Sequence, residues 1–172
     1  MGNHNKRKKY AGAHVLFHRL LKAGNGDFVQ GVLLCKRTQD VATHPGYWSM
    51  FGGEPKQNDS TAKETALREA REELEATGVN LRIIPIECLC EVLIGGENGP
   101  HTVEYFSYFL EIDMDRLRLK RSETESETES ETREEKVEGE GLAWFTAEEI
   151  HHLTVRPTER VAINKFFQKY GV

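Results

Sequence analysis

Two adjacent glycines, Gly52 and Gly53, separate a short aromatic run from a long charged one, and that junction constrains the chain most. The run Trp48-Ser49-Met50-Phe51 is apolar and compact, as a short buried strand is. The glycines stop it, because they accept backbone angles and close approaches that other residues resist. A polar loop follows. Asp59 and Ser60 then read as helix caps, and residues 64–74 are rich in helix formers. Residues 48–79 therefore read as strand, glycine turn, loop and helix.

The helix carries the chemistry. Glu69, Glu72 and Glu73 stand at i, i+3 and i+4, so their carboxylates share one face within an arc of roughly 100°. Ala62, Ala66, Leu67, Ala70 and Leu74 form the neighbouring apolar stripe, which should face a core. The acidic face then lies at the edge of the buried one. Glu69 and Glu73 are like charges one turn apart, at a cost of a few tenths of a kcal/mol, roughly, in an isolated helix. A hard divalent cation reverses that cost, since Mg²⁺ takes oxygen ligands and bridges carboxylates to phosphates. Arg68 can pair with Glu64 and Glu72, each four residues away. Taken alone, a charged helix of this kind also reads as a merely solvated surface; the strand and double glycine upstream favour the metal-holding face.

Gly53, Asp59, Arg68-Glu69-Ala70-Arg71-Glu72-Glu73 and Gly78-Val79 together resemble the Nudix box, G-x5-E-x7-R-E-U-x-E-E-x-G-U, with U a bulky aliphatic residue. This chain departs from it at three places. Asp59 replaces the first glutamate, one extra residue precedes Arg68, and Glu75 to Thr77 are added before Gly78. The central acidic turn is intact. The resemblance implies an α/β fold, an α/β/α sandwich around a mixed sheet.

Length and charge set further bounds. The chain has 172 residues, which suits one domain, and a net charge of -5, which does not suggest a broad nucleic-acid surface. No apolar run is long enough to span a bilayer. The basic start followed by a short apolar stretch broken by His14 is a poor signal peptide. Cys35 lies in an apolar strand, and Cys88 and Cys90 alternate onto one face of another. Buried thiols and a reducing cytoplasm are the expectation, with no zinc-ligand spacing.

In chain order, residues 1–9 read as a tail and residues 10–172 as a single domain. Residues 11–17 form a first strand with His14 and His18 at a sheet surface. The Gly24-Asn25-Gly26 turn leads by a hairpin into a second strand over 29–37. Lys36 and Arg37 end that strand. In many Nudix proteins a basic residue near this point contacts substrate phosphate, while a solvated strand end is the plain alternative. His44 and Tyr47, in the loop that follows, could flank a base or simply form a loop. Residues 81–94 read as extended, 102–112 as an alternating strand, and 141–145 as a short strand. Thr146 to Glu149 look like a capping box, and a last helix over 159–170 carries Val161, Phe166 and Tyr170 on its apolar side and stops at Gly171. Residues 122–135, SETESETESETREE, have no apolar residue and read as a flexible acidic insertion between strands.

The resemblance implies hydrolysis of a small nucleoside diphosphate derivative, possible substrates including nucleoside triphosphates. It implies Mg²⁺, with Mn²⁺ able to substitute, held by Glu69, Glu72, Glu73 and the Gly53 carbonyl. Arg68 and Glu69 are the implied catalytic residues, with Glu69 as general base; Glu138 or Glu140 from a later loop is the alternative base. Arg37 and Trp48 are the expected substrate contacts. The expected partners are a small nucleotide, with no long nucleic acid and no membrane. A different class of function stays open: a catalytically weak Nudix-fold module that senses a nucleotide or binds a protein.

Overall fold

The computed structural model describes residues 10–95, 99–120 and 139–171. The tail 1–9, the acidic run 122–135 and Glu138 lie outside the described residues.

Strand β1 (Tyr10–Lys22) is the hub. One edge of it serves two partners in turn: its first half pairs antiparallel with β4 (Phe51–Gly53), its second half with β2 (Phe28–Arg37). Its other edge runs parallel to β7 (His101–Phe109), which pairs antiparallel with β6 (Glu87–Ile94). β2 also carries β3 (Trp48–Ser49) and β9 (Gly139–Thr146), both antiparallel. The sheet is therefore mixed, with seven strands among the described residues. A small second sheet pairs β5 (Leu74–Ala76) with β8 (Leu117–Leu119). β1 is longer than the sequence suggests, because the 23–27 turn, closed by the Ala23 N–H donating to the Asp27 carbonyl at 2.8 Å, lets β2 pair along its whole second half.

Helix α1 (Ala62–Glu73) covers one face of the sheet. Ala62, Ala66 and Ala70 are small enough to bring the helix close to Phe17, Leu33 and Phe51 in one core cluster. Helices α2 (Ala147–His151) and α3 (Pro157–Tyr170) cover the other face, with Ile150, Ala162, Ile163 and Phe166 buried among Leu16, Val32 and Tyr105. This is the expected α/β/α sandwich. The capping box at Thr146 and Glu149 is present, and Pro157 opens α3, where its missing N–H costs nothing.

Several local expectations are corrected. The N-cap of α1 is Thr61, whose hydroxyl accepts the Glu64 N–H, while the Glu64 carboxylate accepts the Ser60 N–H; Asp59 does not cap. Leu74 leaves the helix and begins β5, yet stays fully buried. The 48–51 run is two strands broken at Met50. His14 lies in the interior, not at a sheet surface. Val161 is exposed. Cys88 and Cys90 do not share a face: the pairing slips between them, setting Cys88 opposite Phe106 and Cys90 opposite Tyr105, and leaving Cys88 exposed. Among the described residues no helix is long and apolar enough to cross a membrane.

Candidate active site

The glycine corner is where α1 meets the sheet. A methyl group added at Gly53 would fall 2.8 Å from the Glu69 carboxyl carbon, so the carboxylate occupies the space a side chain would need. A methyl group at Gly52 would fall 2.5 Å from His14 Nδ1. Gly52 in turn donates its N–H to Glu73 Oε2 at 3.2 Å. Two of the three carboxylates are thus seated on the two glycines.

Arg68 organises the remainder. Its Nη1 reaches Glu69 Oε1 at 2.6 Å and Glu72 Oε2 at 2.9 Å. Its Nε and Nη2 grip Asp59, and Nη2 also donates to the Glu54 carbonyl at 2.9 Å. Asp59 further accepts the Lys56 N–H and the Thr65 hydroxyl, so the 54–59 loop is clamped to the helix. The expected pairing of Arg68 with Glu64 does not form, because Glu64 turns to the helix N-terminus. Lys56 Nζ sits on Glu72 at 2.9 Å.

These contacts set the charge states. The Arg68 guanidinium holds the Asp59 carboxyl well below the usual carboxylate range. Burial pushes the Glu69 carboxyl up, against the pull of Arg68, a direction that favours a proton acceptor. The three carboxylates are hard oxygen donors on one helix face beside a glycine turn, and in that respect they suit Mg²⁺. Among the described residues, however, no three His, Cys, Asp or Glu side chains are already gathered as a cation cage. Arg68 and Lys56 instead stand among the carboxylates as internal counter-ions.

The expected substrate contacts lie elsewhere. Arg37 closes its own loop, donating from Nε to the Thr43 carbonyl at 3.2 Å, while its backbone N–H donates to the Tyr47 carbonyl. His44 and Tyr47 pack edge to face at 5.2 Å. Trp48 is half-buried against Phe145, ring centroids 4.7 Å apart, on the α2–α3 side of the sheet. Glu140 faces Lys36 at 3.8 Å.

Sequence reasoning missed one buried group beside this corner. Glu159, in the first turn of α3, is fully buried and accepts the Met50 N–H at 2.7 Å. It pairs with Arg156 at 3.1 Å and lies 3.7 Å from His14 Nδ1. Nothing in the sequence distinguishes it from an exposed glutamate placed for the helix dipole. Lys56 carried a weak signal, lying three residues before Asp59 in a polar turn.

Residues 20–166 match the model of the NUDIX domain. The chain belongs to the Nudix family. Solved Nudix structures share its fold at low identity. The NUDIX domain of Shewanella oneidensis NrtR, complexed with ADP ribose, is 14% identical with a TM-score of 0.63, over 98% of this chain and 93% of that one. The MutT protein of Methanosarcina mazei Go1 is 18% identical with a TM-score of 0.60, over 95% and 96% of the two chains. A C. elegans Ap4A hydrolase binary complex is 18% identical with a TM-score of 0.60, over 92% and 95%. Among curated proteins none matches in sequence. At such identities the likeness establishes the Nudix fold, and activity has to be argued from the site.

Proposed function

We propose that this Nudix protein hydrolyses a phosphoanhydride bond in a small nucleoside diphosphate derivative, nucleoside triphosphates included, with Mg²⁺ as cofactor and Mn²⁺ able to replace it. The observation that carries the reading is the seating of Glu69 against Gly53 and of Glu73 on the Gly52 N–H. Glu69, Glu72, Glu73 and the Gly53 carbonyl are the residues that would hold the cation. Mg²⁺ binds through one or two carboxylates plus water and substrate phosphates more often than in an all-protein cage, so the donor set fits it. When bound, the cation neutralises phosphate charge and acidifies water.

The chain supplies orientation and the base. Glu69, with its raised affinity for a proton, accepts the proton of the attacking water as the new P–O bond forms. The anhydride P–O bond breaks, its electron pair leaving on the departing phosphate. Arg68 holds Glu69 and Glu72 in place and ties them to the 54–59 loop through Asp59. Arg37 and Trp48, the expected substrate contacts, stand away from the glycine corner, so in this reading they would meet only the part of the substrate farthest from the cation. A small nucleotide suits the net charge of -5 better than long RNA does. Cys35, Cys88 and Cys90 form no disulfide, which fits a cytoplasmic setting.

One observation favours a second reading, a nucleotide-sensing or protein-binding module of weak activity. The carboxylates already carry Arg68 and Lys56 as counter-ions. The NrtR domain complexed with ADP ribose makes ADP ribose a useful probe. The purified chain is incubated with ADP-ribose, diadenosine tetraphosphate and nucleoside triphosphates, with and without Mg²⁺. Phosphate-containing products formed only with Mg²⁺ support the hydrolase. Saturable binding without products supports the module.

A further inference from the structure

The C-terminal half of α1, β5 and the 79–82 loop enclose a cleft of about 400 Å³ that Gly52 and Gly53 do not line. Beneath it lie Leu74, Ala76 and Leu81, which are buried and show little surface, so the half-buried Val79 is its main apolar contact and the exposed lining is more polar than apolar. Its walls are basic: Arg71, Arg82 and Lys120, with Arg68 at one end. Glu72 and Glu75 are the acids that line it.

Arg71, Arg82 and Lys120 are poorly compensated, whereas Arg68 is already held by Asp59, Glu69 and Glu72. Arg71 donates from Nε to the Leu67 carbonyl at 3.0 Å, and Lys120 donates from Nζ to the Arg71 carbonyl at 2.7 Å. Neither reaches a carboxylate among the described residues. The Arg82 guanidinium makes no hydrogen bond or ion pair among the described residues, and its exposed stem leaves it able to turn into the cleft. Guanidinium forks match phosphate oxygens two at a time, and a concave wall in which cations outnumber acids favours an anion. The volume lies in the range that small ligands occupy, about 300–1,000 Å³, and the partly exposed Val79 gives a ribose or base an apolar contact.

We propose that this cleft is a second site, binding a nucleoside mono- or diphosphate with its phosphates on Arg71, Arg82 and Lys120 and its nucleoside against Val79. Arg68 and Glu72 belong to both the cleft and the glycine corner. A phosphate in the cleft competes with Glu72 for Arg68, which couples occupancy of the cleft to the carboxylate cluster. The site does not depend on the hydrolase reading, and the test below omits divalent cations to keep the two apart.

ADP and inorganic phosphate are titrated into the full chain by calorimetry, without metal, at low and physiological salt. The wild type is compared with the triple variant Arg71→Ala, Arg82→Ala, Lys120→Ala, with the single charge reversal Arg82→Glu, and with Glu69→Gln/Glu73→Gln. The single reversal alters an exposed side chain, so it keeps the test open if the triple variant folds poorly. The expected result is salt-sensitive ADP binding, at least tenfold tighter than phosphate, weakened at least tenfold in both basic variants and retained in the glutamate variant. Loss only in the glutamate variant would move the ligand to the glycine corner and overturn the proposal. Equal binding in all variants, no binding at millimolar ADP, or equal affinity for ADP and phosphate would overturn it as well. The acidic run 122–135 follows Lys120 in the sequence. Binding that appears only when that run is replaced by a Gly-Ser linker would assign the cleft to the chain's own acidic run, against the proposal.

Discussion

Arg68 and Asp59 face each other across nine residues of chain, with Nη2 2.9 Å from Oδ2 and the two side chains only 13% and 7% exposed. The pair joins the loop after the glycine corner to the helix that carries Glu69, Glu72 and Glu73. Removing one partner of a buried pair leaves an uncompensated charge, typically at about 3–5 kcal/mol. Arg68→Ala should therefore lower stability by that order in denaturant unfolding, and Arg68→Lys should restore only part, because an ammonium cannot grip Asp59 with two nitrogens. The carboxyl of Asp59 titrates lower in the fold than in the unfolded chain, so its contribution is present above the ordinary value of 3.8 and is lost as pH falls below it. A loss below about 1 kcal/mol for Arg68→Ala would count against the clamp.

The base assignment separates Glu69 from the later loop. Loss of a general base lowers rate by about 10²–10⁴-fold. Glu69→Gln should lose that much, measured on the true substrate with saturating metal. Glu140→Gln removes only an exposed partner of Lys36 and should lose far less. Glu138→Gln completes the series. A larger loss at Glu138 or Glu140 than at Glu69 would transfer the base to that loop.

Glu159 and His14 titrate in opposite senses. Burial pushes Glu159 up to about 7, so its protonated form is favoured in the fold. That contribution is full below the ordinary carboxylate value of 4.5 and is lost as pH rises to about 7. Burial pushes His14 down to about 3, so its contribution is present above 6.5 and is lost as pH falls toward 3. The two trends oppose each other between them, with Arg156, Arg37 and Tyr105 as the other groups facing the pair. Glu159→Gln keeps an acceptor for the Met50 N–H and removes the glutamate titration. Its melting temperature relative to the wild type should rise steadily from pH 4.5 to 7, by an amount on the order of 1–3 kcal/mol in stability. A difference that stays flat across that window would show that Glu159 titrates normally.

Much of the site was legible because it is local. The helix period set Glu69, Glu72 and Glu73 along one side of α1, and the double glycine marked where Glu69 and Glu73 sit. The fold followed from the order of strands and helices, with family resemblance supplying the sandwich. What sequence could not show is contact between distant segments. Asp59 looked like a cap because a carboxylate before a helix usually is one; the nearby guanidinium of Arg68 outcompeted the helix end. His14 and Glu159 are 145 positions apart (159 − 14), and their meeting depends on α3 packing on β1, where Phe166 also meets His18. The slip between Cys88 and Cys90 is likewise set by β7, and strict alternation cannot foresee it.

The acidic run 122–135 offers no apolar surface to offset ordering, which costs about 1 kcal/mol or more per residue. Charges that reach a site only through solvent are screened beyond about 10 Å at 0.1 M salt. Replacing it with a short Gly-Ser linker should leave the melting temperature and turnover at physiological salt nearly unchanged, with a modest gain in substrate affinity at low salt. A large loss of turnover at physiological salt would show that the run docks on the site.

In the proposed function the acidic face on the glycine corner works as a metal-dependent hydrolytic unit. Its most direct test is the rate of product release from the best nucleotide substrate as Mg²⁺ is raised from zero, in the wild type and in Glu72→Gln, Glu73→Gln and the double variant. Wild-type turnover should be negligible without Mg²⁺ and rise saturably with it. The single variants should need more Mg²⁺, and the double variant should lose turnover by about 10²-fold or more while melting within a few degrees of the wild type. Wild-type turnover in the double variant at saturating Mg²⁺, or full wild-type activity in a chelator, would contradict it.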